Sequence, residues 1–429
     1  MCTQEAVQLQ YGKTEISVTL PLESIIAFPH IRRLEKMDHV GDVFFDSLRN
    51  PIDSPSLSVL ARDRKNAIVV IPDLTRPMPV STLLPAILDE LNAGGLSNEK
   101  IKAVIALGTH RPMTEKEILD MVGEQTYHRI KVINHAWDKV DALVSLGKTP
   151  NGTWVDVNKE VYEADLVIGL SSVKPHRAAG WSGGAKIIDP GVCGKRTIDG
   201  THYLSVKYPI QELMGVLNNP IRVEMEQVAK TVGLNFSINL VLNGDDEIVH
   251  ISSGHYISSH KKAVEFAETI YRDPQKEKAD FLISGAGAWS SDLWVAIQGI
   301  FSAEYLVKEG GTAVLFAPCD EGLTPEHPQL EKIGYRPKDE IMKLVEDKVL
   351  TDLAAAGHIV AVARILIDKN IECILVSEES TKQAAEFIGL KWMRTPQEAV
   401  DYILEKHTTS ARGYLFPVKS ITDTVVMSW

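Results

Sequence analysis

The chain has 429 residues and a mass of 47.4 kDa, which at roughly 150 residues per domain predicts two or three domains with cores of ordinary size. Apolar residues make up 44% and charged residues 24%, near the globular average, so wholesale disorder and fibrous repeats are excluded. With 45 Lys+Arg against 57 Asp+Glu the formal charge is −12, which offers no bulk attraction to nucleic acid or to an anionic membrane surface.

Cys2, Cys193, Cys319 and Cys373 lie far apart and form no C-x-x-C pair, so neither a disulfide framework nor a structural zinc is expected and a cytoplasmic location is. The first residues lack a basic stretch followed by an apolar one. No apolar run reaches the roughly 18 residues a membrane span needs; the best candidate, His358 to Asp368, is interrupted by Arg364.

In chain order, short β-branched apolar runs alternate with longer amphipathic segments, the pattern of βα units. Strands are predicted at Asn66–Ile71, Ile101–Leu107, Ile130–Asn134 and Asp165–Leu170, with helices over Val80–Asn92 and Thr114–Val122. The second helix opens on Thr114-Glu115-Lys116-Glu117, a capping-box pattern. The charged stretch Arg272 to Lys278 ends a helix-like segment that starts at Ser259. A second series follows: strand Phe281–Ser284, helix Asp292–Lys308, strand Thr312–Ala317, helix Thr351–Lys369, strand Glu372–Val376 and helix Thr395–Lys406. The expectation is an α/β protein of two domains with mainly parallel sheets and an active-site cleft between them. Residues 1–272 would form the cofactor-binding and catalytic domain, with 408–429 packing back on it, and 273–407 a domain that closes the cleft.

Ligands of an open parallel sheet sit at the carboxyl ends of its strands. Three strands deliver unusual polar sequences there: Asp73-Leu74-Thr75-Arg76-Pro77, Gly108-Thr109-His110-Arg111-Pro112, and Ser171 through His176. The longest stretch is Lys174-Pro175-His176-Arg177-Ala178-Ala179-Gly180-Trp181-Ser182-Gly183-Gly184-Ala185-Lys186. Gly183 and Gly184 would let backbone N–H groups approach a phosphate, with Lys186 as countercharge or amine nucleophile. His202 adds a third loop imidazole.

Each feature also has a plainer reading. A loop histidine is usually a solvated or hydrogen-bonded side chain, Asp73 and Arg76 suit a helix start and a surface cation, and Gly183-Gly184 suits a tight turn. Gly180-Trp181-Ser182-Gly183-Gly184 matches G-x-S-x-G, but Ser182 does not directly follow a strand, as a nucleophile elbow requires. Gly285-Ala286-Gly287 follows a strand, yet Ser290 stands where a dinucleotide loop has its third glycine.

Taken in order, Asp73 to Pro77, Gly108 to Thr114, Pro175-His176, Gly180 to Lys186, Pro190-Gly191 and His202 resemble the lactate racemase family across the first domain. The resemblance implies a nickel-pincer nucleotide, pyridinium-3-thioamide-5-thiocarboxylic acid mononucleotide with Ni(II), loaded by its cofactor-synthesis enzymes. Lys186 matches the lysine that attaches through a thioamide where the link is covalent. His202 matches the histidine completing the nickel site, a donor set of sulfur, carbon and imidazole suited to Ni(II). His110 and His176 match paired acid/base histidines, Asp73 and Arg76 match polar residues that orient the site, and Thr75 is a candidate to bind the cofactor. Gly183 and Gly184 remain candidates for the nucleotide phosphate.

The implied reaction inverts C2 of a 2-hydroxy acid: hydride leaves C2 as a base takes the hydroxyl proton, and the planar 2-keto acid accepts both back on its other face. Two imidazoles, one for each enantiomer's hydroxyl, suit that task. Where lactate racemases face the substrate with a tyrosine, a glutamine and a lysine, this chain reads Trp294-Val295-Ala296-Ile297-Gln298-Gly299. A neutral Gln298 cannot pair with a carboxylate as lysine does. The expected substrate is therefore a small molecule other than lactate, such as a larger or polyhydroxylated acid, with Arg177 or Lys174 supplying the charge. The alternatives are a nicotinamide-dependent 2-hydroxy acid dehydrogenase, which lacks its full glycine motif here, and a non-catalytic sugar-acid or nucleotide-binding member of the family.

Overall fold

A computed structural model describes residues 4–76, 78–275, 277–287, 290–408, 410–417 and 426–428. Pro77 of the first motif, Lys276 of the charged stretch and most of the tail beyond 417 lie outside the described residues. Arg32–His202 and Val216–Ile270 form one compact unit; Met1–Ile31, Tyr203–Gly215 and Tyr271–Trp429 form the other.

The first unit is built on six strands in the spatial order Ile248–Gly254, Leu234–Leu242, Val167–Ser172, Ala67–Pro72, Ile101–Ala106, Lys131–Asn134. Neighbours are parallel except at the Ile248–Gly254 edge. Every residue of Ala67–Pro72 and of Val167–Ser172 is buried, as strands covered on both faces must be, and this is why they read as unbroken apolar runs. The chain steps from Ala67–Pro72 outward to Ile101–Ala106 and Lys131–Asn134, then returns to place Val167–Ser172 on the other flank. Strand order therefore reverses between Ala67–Pro72 and Val167–Ser172, the switch point where such sheets gather their ligands.

Local chemistry explains the helices that flank these strands. Thr114 caps Glu115–Arg129 with the capping box, its side chain and that of Glu117 each bonding the other's backbone N–H. Gly123, at φ 75°, breaks that helix where the predicted one ends. Val80–Ala93 carries Pro85 within its length and buries Leu83, Leu84, Ile87, Leu88 and Leu91.

In the second unit six strands are all parallel, in the order Lys391–Met393, Glu372–Val376, Val307–Phe316, Ala279–Gly285, Gly413–Pro417, Ile25–Ala27. Two expectations about boundaries are corrected here. The N-terminal segment belongs to this unit: Gln4–Tyr11 and Thr14–Pro21 pair as a hairpin that buries Val7, Leu9, Val18 and Leu20 against Phe281, Phe316, Val400 and Ile403. An isolated hairpin is marginal, so it must find such a face, and each buried Leu or Val contributes about 2 kcal/mol. The chain after 408 also stays here, since Gly413–Pro417 lies between Ala279–Gly285 and Ile25–Ala27. A third difference concerns the expected helix Asp292–Lys308. It is broken into Leu293–Ala296, a turn at Ile297–Ile300 and Ala303–Leu306, after which Val307 starts a strand. Gly299 marks the break; a Cβ there would stand 2.5 Å from Ser284 Oγ.

Candidate active site at the strand ends of the first unit

Three adjacent parallel strands of the first unit end beside one another and carry the predicted polar motifs past their last residues. After Ala67–Pro72, the Asp73 carboxylate turns inward and is 5% exposed. Its Oδ1 accepts from the Thr75 hydroxyl at 2.6 Å and the Thr75 N–H at 3.2 Å, and its Oδ2 faces His110 Nδ1 at 2.6 Å. Burial works to raise the Asp73 carboxyl, but the His110 bond and charge, the Thr75 hydroxyl and the Arg76 cation outweigh it and hold it below its ordinary value. Asp73 is thus an ionised, internally bonded carboxylate and not a helix cap; the following helix starts at Val80 behind Pro79.

His110 is placed by the turn after Ile101–Ala106. Its amide donates to Leu107 O, and Gly108 N donates to Gly191 O, at 2.9 Å each. Gly108 holds φ 56° in that turn, a conformation that favours glycine. The His110 side chain stays 43% exposed, so one nitrogen meets the buried carboxylate while the rest of the ring is accessible.

His176 lies in a short antiparallel turn, Pro175–His176 against Gly180–Trp181. Its Nδ1 accepts the backbone N–H of Ala178 at 3.3 Å and of Ala179 at 3.1 Å. Burial, then Lys186, Arg177, Arg76 and His202, push it well below the usual histidine range, so it is neutral. Arg177 is lowered to about 10 by burial. Lys174 holds the same turn through its backbone, its N–H meeting Ser182 Oγ at 3.0 Å.

The glycine-rich stretch behaves differently from a phosphate cradle. Gly183 and Gly184 have φ 81° and 54°, and a Cβ would meet Val173 at 2.6 Å in the first and the His260 ring at 2.8 Å in the second. Glycine is required there by close packing. The Gly184 N–H is committed to Asn239 Oδ1 at 2.8 Å, so the amide expected to face a phosphate is already bonded. Ser182 donates to Ser172 O at 2.8 Å, which makes it a fastener of the turn and not a nucleophile.

Lys186 follows in the turn Gly184–Ile187. Burial, and the charges of Arg76 and Arg222, lower its amine from the ordinary lysine value to about 7, against the opposite pull of Asp189 and Asp73. A substantial fraction is therefore unprotonated and nucleophilic at neutral pH. His202, near the end of Lys195–Tyr203, directs Nδ1 to Ile198 O at 2.8 Å. That backbone bond places the proton on Nδ1 and turns Nε2 into the lone-pair nitrogen, the arrangement in which histidines ligate metals. Among the described residues no three His, Cys, Asp or Glu side chains gather as a metal site.

Sequence reasoning did not single out four residues that hold this region. Arg222 is 1% exposed and donates to the carbonyls of Trp181, Gly183 and Ala179, clamping the stretch that leads to Lys186. It sits on the buried stripe of Pro220–Val232 with Ile221, Met225 and Val228; a cation within an apolar stripe was the available signal. Asn239 and His260 fasten Gly184 and Ser182, His260 Nε2 lying 2.8 Å from Ser182 O. Asp189 is fully buried, with Oδ1 taking a 3.3 Å bond from Thr201 and Oδ2 having no partner; burial raises it to about 7.

Trp294 and Gln298 lie in the second unit, on Leu293–Ala296 and the turn after it. The Trp294 ring stacks on His327 at 3.6 Å and on His358 at 4.3 Å between centroids. The Gly285-Ala286-Gly287 stretch is occupied by the N-terminal hairpin: Gly12 N donates to Ala286 O at 2.9 Å, and a Cβ on Gly285 would meet the Gln10 backbone at 2.6 Å. Gly285 serves strand contact, which removes the support for a dinucleotide loop.

A family signature described as the lactate racemase N-terminal domain matches residues 11–213. The lactate racemase of Thermoanaerobacterium thermosaccharolyticum is 30% identical over 374 residues, covering 85% of this chain and 87% of that protein. The lactate racemase of Lactiplantibacillus plantarum is 28% identical over 423 residues, covering 96% and 98%. The solved lactate racemase apoprotein of T. thermosaccharolyticum superposes with a TM-score of 0.87 at 27% identity, covering 99% of this chain and 100% of that one.

Proposed function

The chain belongs to the lactate racemase family, and on that premise we propose that it inverts C2 of a 2-hydroxy acid by paired hydride and proton transfer with a nickel-pincer nucleotide. Family membership makes it an isomerase of the racemase type. The observation that carries the finer reading is the convergence, at one edge of one sheet, of the His110–Asp73 pair at 2.6 Å with a Lys186 amine held near 7.

The residues present suit such a group. Lys186 is an amine able to form an amide-type link without first losing a tightly held proton. His202, proton on Nδ1 and lone pair on Nε2, fits a nickel whose remaining donors come with the cofactor. Arg76, Arg177, Lys186 and Arg222 outnumber Asp73 and Asp189, the balance that a phosphate-bearing cofactor and a carboxylate substrate both favour. When bound, the group supplies a hydride acceptor and donor. The chain's own part is to orient the hydroxy acid and move the hydroxyl proton: Asp73 holds the His110 ring and stabilises it when it becomes charged.

The substrate on this reading is larger or more hydroxylated than lactate, because Gln298 is neutral where the resemblance implies a lysine, and Arg177 or Lys174 supplies the carboxylate's countercharge. The test is intact-mass and metal analysis of protein co-produced with the cofactor-synthesis enzymes, followed by a screen of 2-hydroxy acids that includes lactate and aldonates. An adduct on Lys186, near-stoichiometric nickel and inversion of a hydroxy acid other than lactate are expected. Absence of both adduct and nickel would overturn the cofactor assignment, and inversion of lactate alone would overturn the substrate.

A further inference from the structure

We propose that Asp189 is a positioning residue for Lys186: a buried carboxyl that holds the ammonium's countercharge and takes up a proton when the amine loses its own and is linked. The proposal rests on the reading of Lys186 as the residue that attaches to the cofactor, and it adds the group that keeps the charge of the site balanced as that happens.

The turn that carries Lys186 also carries Asp189. Beyond Gly184–Ile187 the backbone keeps turning, with Ile188 N and Asp189 N both donating to Ala185 O, at 3.0 and 3.1 Å. Side chains three residues apart on such a turn lie on one side of it. Lys186 is half-buried and Asp189 wholly buried. Among the described residues Thr201 is the one donor to the Asp189 carboxyl. Its hydroxyl lies 3.3 Å from Oδ1, but also 3.1 Å from Ile198 O and 3.3 Å from Thr197 O. A single hydroxyl hydrogen is thus shared among three acceptors, and Oδ2 has no partner. A buried carboxyl so poorly bonded is rare in a folded core and calls for a reason.

Asp73 supplies the contrast. It is the other carboxylate that acts on the Lys186 amine, and Thr75 and His110 bond both of its oxygens, which locks it in the ionised form. Asp189 lacks such bonds. Burial dominates there and pushes its carboxyl up to about 7, just as burial brings the Lys186 amine down to about 7. The other groups around the pair are fixed near neutrality. Arg76 and Arg222 are permanent cations, His176 is neutral, burial keeps the Cys193 thiol protonated, and Glu224 is bonded by Thr149 and Asn151.

Ammonium and carboxylate then become amine and carboxylic acid: an N–H bond breaks with its electron pair left on nitrogen, an O–H bond forms on Asp189, and the buried site neither gains nor loses charge. The free amine condenses with a thiocarboxylic acid to give a thioamide and water, after which its nitrogen takes up no proton. An Asp189 fixed as an anion would at that point be buried and unpaired, a costly state. A carboxyl free to keep its proton avoids it. The two groups titrate as a coupled pair, and the coupling is reciprocal.

The test is amine-directed labelling of Lys186 against pH, read by peptide mass spectrometry on the full chain without cofactor, in the parent and in Asp189→Asn. Loss of the countercharge disfavours the ammonium, so the labelling midpoint is expected to fall by roughly one pH unit in the variant. A midpoint that stays near 7 or rises in Asp189→Asn overturns the proposal and leaves the nucleophile reading of Lys186 standing. A parent midpoint in the ordinary lysine range overturns that reading and the proposal with it. Infrared spectroscopy checks the other partner and needs only the parent and Lys186→Met, so it decides the matter even where Asp189→Asn does not fold. The C=O stretch of a buried carboxylic acid should fade in the parent as pH rises through about 7 and persist to higher pH in Lys186→Met, by a shift of similar size. The same pH dependence in both proteins overturns the proposal, since a carboxyl that served packing alone would not sense the amine.

Discussion

Among the described residues a histidine Nδ1 facing an aspartate Oδ2 occurs twice, in different surroundings. In the first unit His110 Nδ1 meets Asp73 Oδ2 at 2.6 Å; in the second His327 Nδ1 meets Asp352 Oδ2 at 2.7 Å. Asp352 is also a helix cap, its Oδ1 taking the Ala355 N–H at 3.0 Å at the start of Leu353–Ala363, and the His327 ring lies on Trp294. Asp73 caps nothing. Its second oxygen is held by Thr75, Arg76 adds charge beside it, and the His110 ring remains 43% exposed against 15% for His327. A histidine–aspartate contact thus becomes a candidate acid/base device only when the outer face of the ring is left open and cations gather around it. The second pair is a joint between a cap and an aromatic stack.

The largest expected difference is in turnover. Asp73→Asn removes the carboxylate that fixes the His110 tautomer and balances its charge, and should lower kcat of the loaded enzyme by roughly 10²–10⁴-fold. Asp352→Asn keeps an oxygen for the cap and should lower kcat by about tenfold or less. Steady-state kinetics on the two variants side by side checks this; losses of the same size would erase the distinction between the pairs.

Arg222 tests what holds the first pair's surroundings in place. Arg222→Met strips one donor each from the buried carbonyls of Ala179, Trp181 and Gly183; Ala179 O keeps the Trp181 N–H and Gly183 O the Lys186 N–H, so the expected cost is about 1–3 kcal/mol in urea unfolding. A loss under about 1 kcal/mol would mean that water or a rearranged turn satisfies those carbonyls.

Lys186 gives a pH signature. Its amine is lowered to about 7 by burial and by Arg76 and Arg222, so the unprotonated form grows as pH rises through about 7. Ordinary exposed lysines need about 10.4. In the unloaded protein, amine-directed labelling at Lys186, read by peptide mass spectrometry, should reach half its maximum near neutrality. A midpoint in the ordinary lysine range would remove the nucleophile role. Conservative loss of Arg222 charge should move the midpoint upward, because one of the cations opposing protonation is gone.

Much of this was legible from residues, and the parts that were not share a cause. Runs such as Ala67 to Pro72 announce buried parallel strands, and Thr114 with Glu117 announces a helix start, because each signal lies within a few adjacent residues. The motifs at Asp73, His110 and His176 were legible for the same reason, as polar residues placed where an apolar run stops. The hairpin Gln4–Tyr11 with Thr14–Pro21 was also present, as the alternation of Val7, Leu9, Val18 and Leu20 around Gly12, but its membership in the second unit depends on Phe281 and Val400, hundreds of residues away. The direction of a hydrogen bond is the least legible property of all. That Gly184 N–H is committed to Asn239, and that His176 Nδ1 accepts from Ala178 and Ala179, follow only from coordinates, and the first of these turns an expected phosphate contact into a packing contact.

The smallest expected effect separates the two carboxylates by stability. Asp352→Ala removes the cap on Leu353–Ala363 and should cost about 1 kcal/mol, with Asp352→Asn recovering most of it, since asparagine caps nearly as well as aspartate. Asp73→Asn should instead show a loss that depends on pH. The Asp73 carboxyl is held below its ordinary value in the folded protein, so the unfolded chain binds more protons in that window and the stabilisation is present above about 3.9, fading as pH falls through the folded value. The gap in urea midpoint between the parent and Asp73→Asn should therefore close in acid, while the gap for Asp352→Ala follows the lost cap bond. If the Asp73 gap widened in acid instead, the carboxylate would be one that the fold prefers protonated, and His110 would lose the anion that makes it unlike His327.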